Sequence, residues 1–204
     1  MLLSITNLLV QHLGSIIKFG FCLTFPIRIL YLHKSLIDIE VKYKTSFYRM
    51  NNLVTLLEKF DILDSDLTRP WGQFYVIDEK QAQLFADNFF DGLDVNMLTI
   101  GGKLSPKILL VAPNQRLSWQ YHNRRAEIWK VVEGPVAVKR SNTDEEGALV
   151  VCEAGEIIKL AQGERHRLIG LENQAIIAEI WQHTDTSYPS DENDIIRVQD
   201  DFGR

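Results

Sequence analysis

The chain has 204 residues, 46% of them apolar and 24% charged, with a formal net charge of −5. That composition suits a folded globular protein with room for one full core and an appendage, and it excludes global disorder. The acidic balance argues against nucleic acid as the main partner. Two cysteines far apart in sequence, Cys22 and Cys152, argue against a disulfide framework or a cysteine-rich zinc site, which fits a reducing compartment.

Residues 1–49 differ from the rest. Most of 2–31 is apolar, interrupted by Asn7, Gln11, His12, Lys18 and Arg28. A membrane helix needs about 20 mostly apolar residues. Here Lys18 would sit near mid-membrane, and Pro26 breaks the second half. No basic residue precedes Lys18, so the run does not open like a secretory signal. Three readings stay open: a membrane anchor, a hydrophobic helical extension, or the product of a wrongly chosen start codon. The third is favoured, because Met50 opens a soluble-type start and every recognisable feature comes after it. The expected organisation is an extension over 1–49 and one domain over 50–204, placed in the cytoplasm. Membrane association is expected only if residues 1–31 belong to the natural protein and insert.

Leu53, Leu56, Leu57 and Phe60 repeat at helical spacing and predict a short amphipathic helix. Residues 82–89 predict a second, weaker one. After Asp94 the texture changes to short β-rich runs divided by Gly, Pro, Asn and Asp. The runs 96–100, 107–112, 117–122, 127–132, 136–140, 148–152, 156–160, 166–171 and 175–182 all read as strands. Strands at this regular spacing predict an all-β sandwich or barrel, with short helical segments before it.

Within 117–122, alternation puts Leu117, Trp119 and Tyr121 on one face and Ser118, Gln120 and His122 on the other. Glu127 lies beyond the polar turn Asn123-Arg124-Arg125, where the next strand can return it beside them. His166 comes after Gly163, where a tight turn can deliver it to the same face. One carboxylate, two imidazoles and one amide oxygen suit zinc, and would also accept iron, manganese, nickel or cobalt. Taken singly, a lone His or Glu on a strand is more often a satisfied or solvated polar group.

The spacing of the two blocks resembles the two motifs of the cupin superfamily, small jelly-roll-like barrels (double-stranded β-helices) with a metal in the mouth. Cupins usually carry His-x-His in the first motif. Gln120 in place of the first His resembles the phosphomannose isomerase branch, where Gln, His, Glu and His bind zinc. Arg69-Pro70-Trp71-Gly72, Arg116–Gln120, Arg125–Trp129 and the terminal Asp194–Arg204 are similar to the type II mannose-6-phosphate isomerase domain, so the resemblance spans about residues 69–204. Asn114 stands where Gly is usual, and Asn tolerates the same left-handed turn. Ala161 replaces a usual Pro, and Asn123 and Arg124 stand where two further His are common.

The resemblance implies a metal-dependent aldose–ketose isomerase. The expected reaction interconverts mannose 6-phosphate, or a related phosphoheptose, with its ketose through an enediol. The implied metal ligands are Gln120, His122, Glu127 and His166. Glu127, ionised as a ligand, is not expected to be the general base, and no other residue is assigned that role from sequence. Lys107 and Arg197 match basic positions of the type II pattern and are expected in the catalytic site. Arg125 and Arg165 are expected to bind substrate. His183 offers a titratable group, although a surface His at a strand end is the preferred reading. Trp71, Trp119, Trp129 and Trp181 are expected to pack the core or to line a sugar pocket, and the acidic residues from Asp185 to Asp201 to be solvated. Two alternatives remain: a non-catalytic cupin that binds a sugar or sugar nucleotide, and a non-haem iron oxygenase built on His122, Glu127 and His166. Gln120 weighs against the oxygenase, since it fills a position that oxygen chemistry needs open. The expected partner is a small sugar phosphate, with a homodimer expected by analogy to other cupins.

Overall fold

A computed structural model describes Asp38 and residues 52–91, 93–99 and 102–203. The extension expected over 1–49 therefore lies, apart from Asp38, outside the described residues. Met1–Asn52 and Leu53–Arg204 group as separate units, and every strand described belongs to the second. Among the described residues, no helix is long and apolar enough to cross a membrane.

Residues 53–57 are helical, and a second helix spans Ala82–Phe89. Eleven strands are described: β1 Ile62–Asp66, β2 Gly72–Ile77, β3 Lys107–Val111, β4 Trp119–His122, β5 Arg125–Glu133, β6 Val136–Ser141, β7 Leu149–Cys152, β8 Ile157–Leu160, β9 Arg165–Gly170, β10 Ala175–His183 and β11 Ile195–Gln199. They form a six-stranded sheet in the order β1-β2-β3-β10-β5-β8 and a five-stranded sheet in the order β11-β4-β9-β6-β7. Each strand pairing is antiparallel. This is the expected all-β barrel of facing sheets.

In the six-stranded sheet the central strands β3 and β10 are buried on both faces, which explains why they read as nearly continuous apolar runs rather than alternating ones. Its outer face presents Ile108, Leu110, Ile128, Ile176, Ala178 and Ile180. These pack with Phe85 and Phe89 of the helix Ala82–Phe89, and with Leu53, Phe60 and Phe90. Its inner face presents Leu109, Val111, Trp129, Val131, Ala175 and Ile177 to Val136, Val138 and Leu168 of the other sheet. Two sheets burying apolar faces against each other is the dominant stabilising interaction of such a fold, at about 25 cal/mol per Å² of apolar area removed from water.

Four segments differ from the sequence expectation. Of the run expected as a strand over 96–100, the described residues 96–99 are not one: Val95–Leu98 form a single helical turn. Asp94 caps it by accepting a hydrogen bond from the Asn96 amide, and Leu98 is buried. Strands β1, β2 and β11 lie where none was expected. β11 joins β4, with Arg197 opposite Gln120 and Ile195 opposite His122, so the terminal segment forms one edge of the site-bearing sheet.

Candidate metal centre and cleft

The four expected ligands come together from three strands. Gln120 and His122 share a face of β4, and Gln120 pairs across with His166 of β9. Gly163 holds the left-handed φ of +76° in the turn before β9, and its amide donates to the His122 carbonyl at 2.9 Å. That hydrogen bond fixes the turn to β4 and delivers His166 to the cluster. Glu127 arrives from β5 in the facing sheet. All four are buried. His122 Nε2 lies 3.0 Å from Glu127 Oε1, and His166 Nε2 lies 3.5 Å from Glu127 Oε2. The liganding atoms of His122, Glu127 and His166 all fall within 4.8 Å of one another.

The backbone sets the imidazole tautomers. His122 Nδ1 donates to the Asp194 carbonyl at 3.3 Å, and His166 Nδ1 donates to the Glu164 carbonyl at 2.9 Å. In the neutral rings both Nε2 atoms then present lone pairs to the cluster, the arrangement of metal-binding histidines. Lone pairs and a carboxylate converge there, and Glu127 Oε2 and His166 Nε2, both buried, have no hydrogen-bond partner. Buried acceptors facing one another are costly without a cation between them. The residues therefore fit a divalent metal, with Gln120 offering an amide oxygen that accepts from Ser118 Oγ at 2.5 Å. Burial alone would raise the Glu127 carboxyl. The positive charge that His122 and His166 would carry when protonated, and that Arg125 always carries, overcomes it and holds Glu127 well below the usual range. Burial pushes His166 down to about 4, which keeps it neutral.

Arg125 is buried beside the cluster. Its Nε donates to Glu127 Oε1 at 2.7 Å, and one terminal nitrogen donates to Ser190 Oγ at 2.7 Å. Its guanidinium stacks on Trp181, 3.6 Å from the ring centroid. It leaves Glu127 Oε2 free to ligate and orients that carboxylate. The same inward face of the six-stranded sheet carries a row across three strands. Lys107 of β3 lies opposite Glu179 of β10, and Glu179 lies opposite Trp129 of β5. Lys107, Arg125, Arg197, Glu179, Glu127 and Gln120 all line one cleft, walled by Trp71, Phe74, Trp129 and Trp181.

Arg165 does not line this cleft. It pairs with Asp144 at 2.8 Å and lies over the Tyr121 ring, apart from the cleft-lining residues. His183 is not a surface residue. It is buried, its Nδ1 accepts from the Ser190 amide, and its Nε2 lies 2.9 Å from Ser105 Oγ. Those contacts lock it in a packing role. Trp119 is buried in the barrel wall, its Nε1 donating to the Asp144 carbonyl.

Sequence reasoning missed Glu179. Its Oε1 accepts from Trp129 Nε1 at 2.9 Å. Burial, with the nearby Glu127 charge, pushes its carboxyl up to about 8. A lone acidic residue at an inward position of an otherwise apolar strand was the available signal.

A β-barrel of facing antiparallel sheets with a His-Glu-His cluster at its polar end is a cupin. Residues 92–200 match the family described as mannose-6-phosphate isomerase C-terminal, and the chain belongs to that family. A search of curated proteins finds no match. Solved structures similar to this chain include a Cupin 2 conserved barrel domain protein from Salinispora arenicola CNS-205 (21% identity, 39% of this chain, 62% of that one, TM-score 0.34). They also include the capsular polysaccharide assembling protein CapF from Staphylococcus aureus (13%, 69% and 33%, 0.48) and vicilin from Corylus avellana (16%, 60% and 31%, 0.43). The chain spans less than two thirds of the length of each of these three proteins.

Proposed function

We propose that the protein is a metal-dependent sugar-phosphate isomerase, interconverting mannose 6-phosphate or a related aldose phosphate with its ketose. The observation that carries this reading is the joining of two features in one cleft: a buried His122-Glu127-His166 cluster and a separate buried carboxyl, Glu179, with a pKa of about 8. Metal-assisted aldose–ketose isomerisation uses both, a Lewis acid for the carbonyl and a base for the proton. A divalent ion held by Gln120, His122, Glu127 and His166 would supply Lewis-acid polarisation of the substrate carbonyl.

The chain's own residues do the rest. Glu179 has a pKa near working pH, so it can take a proton from one carbon and return it to the next. Trp129 Nε1 holds one of its oxygens and leaves the second to act. Arg125 fixes the Glu127 carboxylate. Lys107 and Arg197 contribute positive charge along the cleft, while Trp71 and Trp181 give it apolar walls that exclude water. The metal is proposed to be zinc, and a homodimer and cytoplasmic placement remain part of this reading.

The test is metal analysis of the purified full-length chain joined to a coupled assay of mannose 6-phosphate with fructose 6-phosphate detection. Stoichiometric metal with turnover is expected. Iron with oxygen consumption would instead make it an oxygenase, and metal with neither activity would make it a sugar-binding cupin.

A further inference from the structure

Glu192 stands in the mouth of the cleft on a single 3-10 turn, Glu192–Asp194, just before β11. Its Oε1 accepts from Lys107 Nζ at 2.6 Å, and its Oε2 lies 3.9 Å from the Arg69 guanidinium. The two sides of this contact are built differently. Lys107 is nearly buried, with its ammonium 3.4 Å from the Trp181 ring centroid and 5.1 Å from that of Phe74. The side chain of Glu192 is 45% exposed. Burial alone would raise its carboxyl, but Lys107, with Arg125 and Arg69, holds it below the ordinary value, so it is an anion at neutral pH.

A preformed cation in an aromatic cage, with a second cation beside it, is costly to bury unless an anion completes it. Arg69 also pairs with Asp66, at 2.8 Å, whereas the anion on Lys107 is Glu192, a side chain that solvent can reach and that a rotamer change can withdraw. With it in place, the cavity volume is about 50 Å³, room for a few waters and not for a sugar phosphate. Glu192 is one of the side chains that line that space, and it is the one that holds the Lys107 ammonium.

We propose that Lys107 and Arg69 form an anion subsite for the phosphate of the substrate, and that Glu192 is its resident occupant, displaced when a phosphorylated sugar enters. The inference rests on reading the cleft as a sugar-phosphate site. A phosphate monoester carries more charge and one more acceptor oxygen than a carboxylate. It can therefore engage the Lys107 ammonium and the Arg69 fork together, where Glu192 reaches only the first closely. The placement suits a substrate that spans phosphate and metal. Lys107 lies two strands from Glu127 and one row along, so their backbones are separated by about 12 Å on ordinary strand spacings. Competition from Glu192 favours dianionic substrates over neutral sugars, because only an anion replaces what it takes away.

The experiment titrates inorganic phosphate into the full-length chain and monitors tryptophan fluorescence and calorimetric heat, with no turnover required. Glu192→Gln is expected to bind phosphate about tenfold tighter than the unmodified chain, and Lys107→Met in that background to reverse the gain. Both measurements are repeated after chelation, and the gain is expected to persist. Unchanged or weaker phosphate binding in Glu192→Gln overturns the proposal. So does binding that vanishes on chelation, which would place the anion on the metal. If Lys107→Met does not fold, Glu192→Gln alone decides. Tighter phosphate binding without isomerase turnover would sink the isomerase reading and leave the subsite standing. Turnover with unaltered phosphate affinity would do the reverse.

Discussion

The two ends of the barrel interior are made by the same strands and have opposite chemistry. Along the inward face of β10, Ala175 and Ile177 are succeeded by Glu179, Trp181 and His183. Along β5, running the other way, Val131 and Trp129 give way to Glu127 and Arg125. One end is closed by Val111, Val131, Val136, Val138, Leu168 and Ile177. The other gathers two carboxyl groups, three imidazoles, a guanidinium and an ammonium, all buried. Strand pairing couples the ends. Because side chains alternate with period two, the register that sets Ile177 opposite Val131 and Leu109 also sets Glu179 opposite Trp129 and Lys107. The apolar end pins the register, and the polar end inherits its geometry from it.

Removing a ligand should give the largest effect. His122→Ala or His166→Ala is expected to lose stoichiometric metal and to reduce turnover by about 10³-fold or more, while circular dichroism still reports a folded barrel. A variant that keeps full metal would detach that histidine from the centre. Next, two positions on one face of one strand should separate function from stability. Glu179→Gln is expected to cost about 10²- to 10⁴-fold in turnover with metal content and melting temperature preserved. If ionised Glu179 is the base, wild-type turnover climbs as pH passes through about 8, and that step disappears in the variant. Ile177→Ala is expected to cost about 2–5 kcal/mol in denaturant unfolding and to leave metal stoichiometry intact. If Glu179→Gln cost stability and Ile177→Ala cost metal, the division between the two ends would be wrong.

How far the sequence shows each end depends on what decides it. Alternation in 117–122 placed Gln120 beside His122, and the polar turn and Gly163 brought in Glu127 and His166, because those placements depend on local geometry. Asn114 likewise adopts its expected left-handed conformation, at φ 59°. Glu179 was hidden because β10 is buried on both faces, which removes the alternation that would have marked its inward side. The roles of Arg69 and Glu192 were hidden because Glu192 meets Lys107 and Arg69 through contacts long in sequence. The acidic terminal stretch read as solvated surface, yet Asp194 is buried and accepts from the Asn123 and Arg124 amides. It thereby fastens the turn that leads into Glu127. Residues 96–100 read as a strand from their β-rich composition, which the side-chain cap at Asp94 outweighs in the fold.

A smaller effect separates His183 from the metal cluster. Burial, with the positive charges of Lys103, Arg125 and Lys107, pushes His183 down to about 4 from an ordinary 6.5. Between those values the unfolded chain binds a proton that the folded one does not. Stability is therefore full above about pH 6.5 and falls as the pH drops toward 4, by up to about 3 kcal/mol for this group. In metal-free protein His166 adds a share in the same window. The His183→Asn protein is expected to lose roughly half of that acid sensitivity in urea unfolding measured across pH. An unaltered pH profile would mean that His183 is as readily protonated in the folded chain as in the unfolded one.

The smallest effect is expected at Arg165, outside the cleft. Its partner Asp144 is 66% exposed, so their ion pair is screened by solvent and contributes under about 1 kcal/mol. Its stacking on Tyr121 adds a modest amount of covered apolar surface. Arg165→Ala is therefore expected to shift the unfolding midpoint slightly and to leave both KM and metal content where they were. Arg165 and His166 are adjacent on β9, and alternation sends one outward and the other into the cluster. A rise in KM in Arg165→Ala with kcat unchanged would show that substrate reaches beyond the cleft to the outer face of the five-stranded sheet.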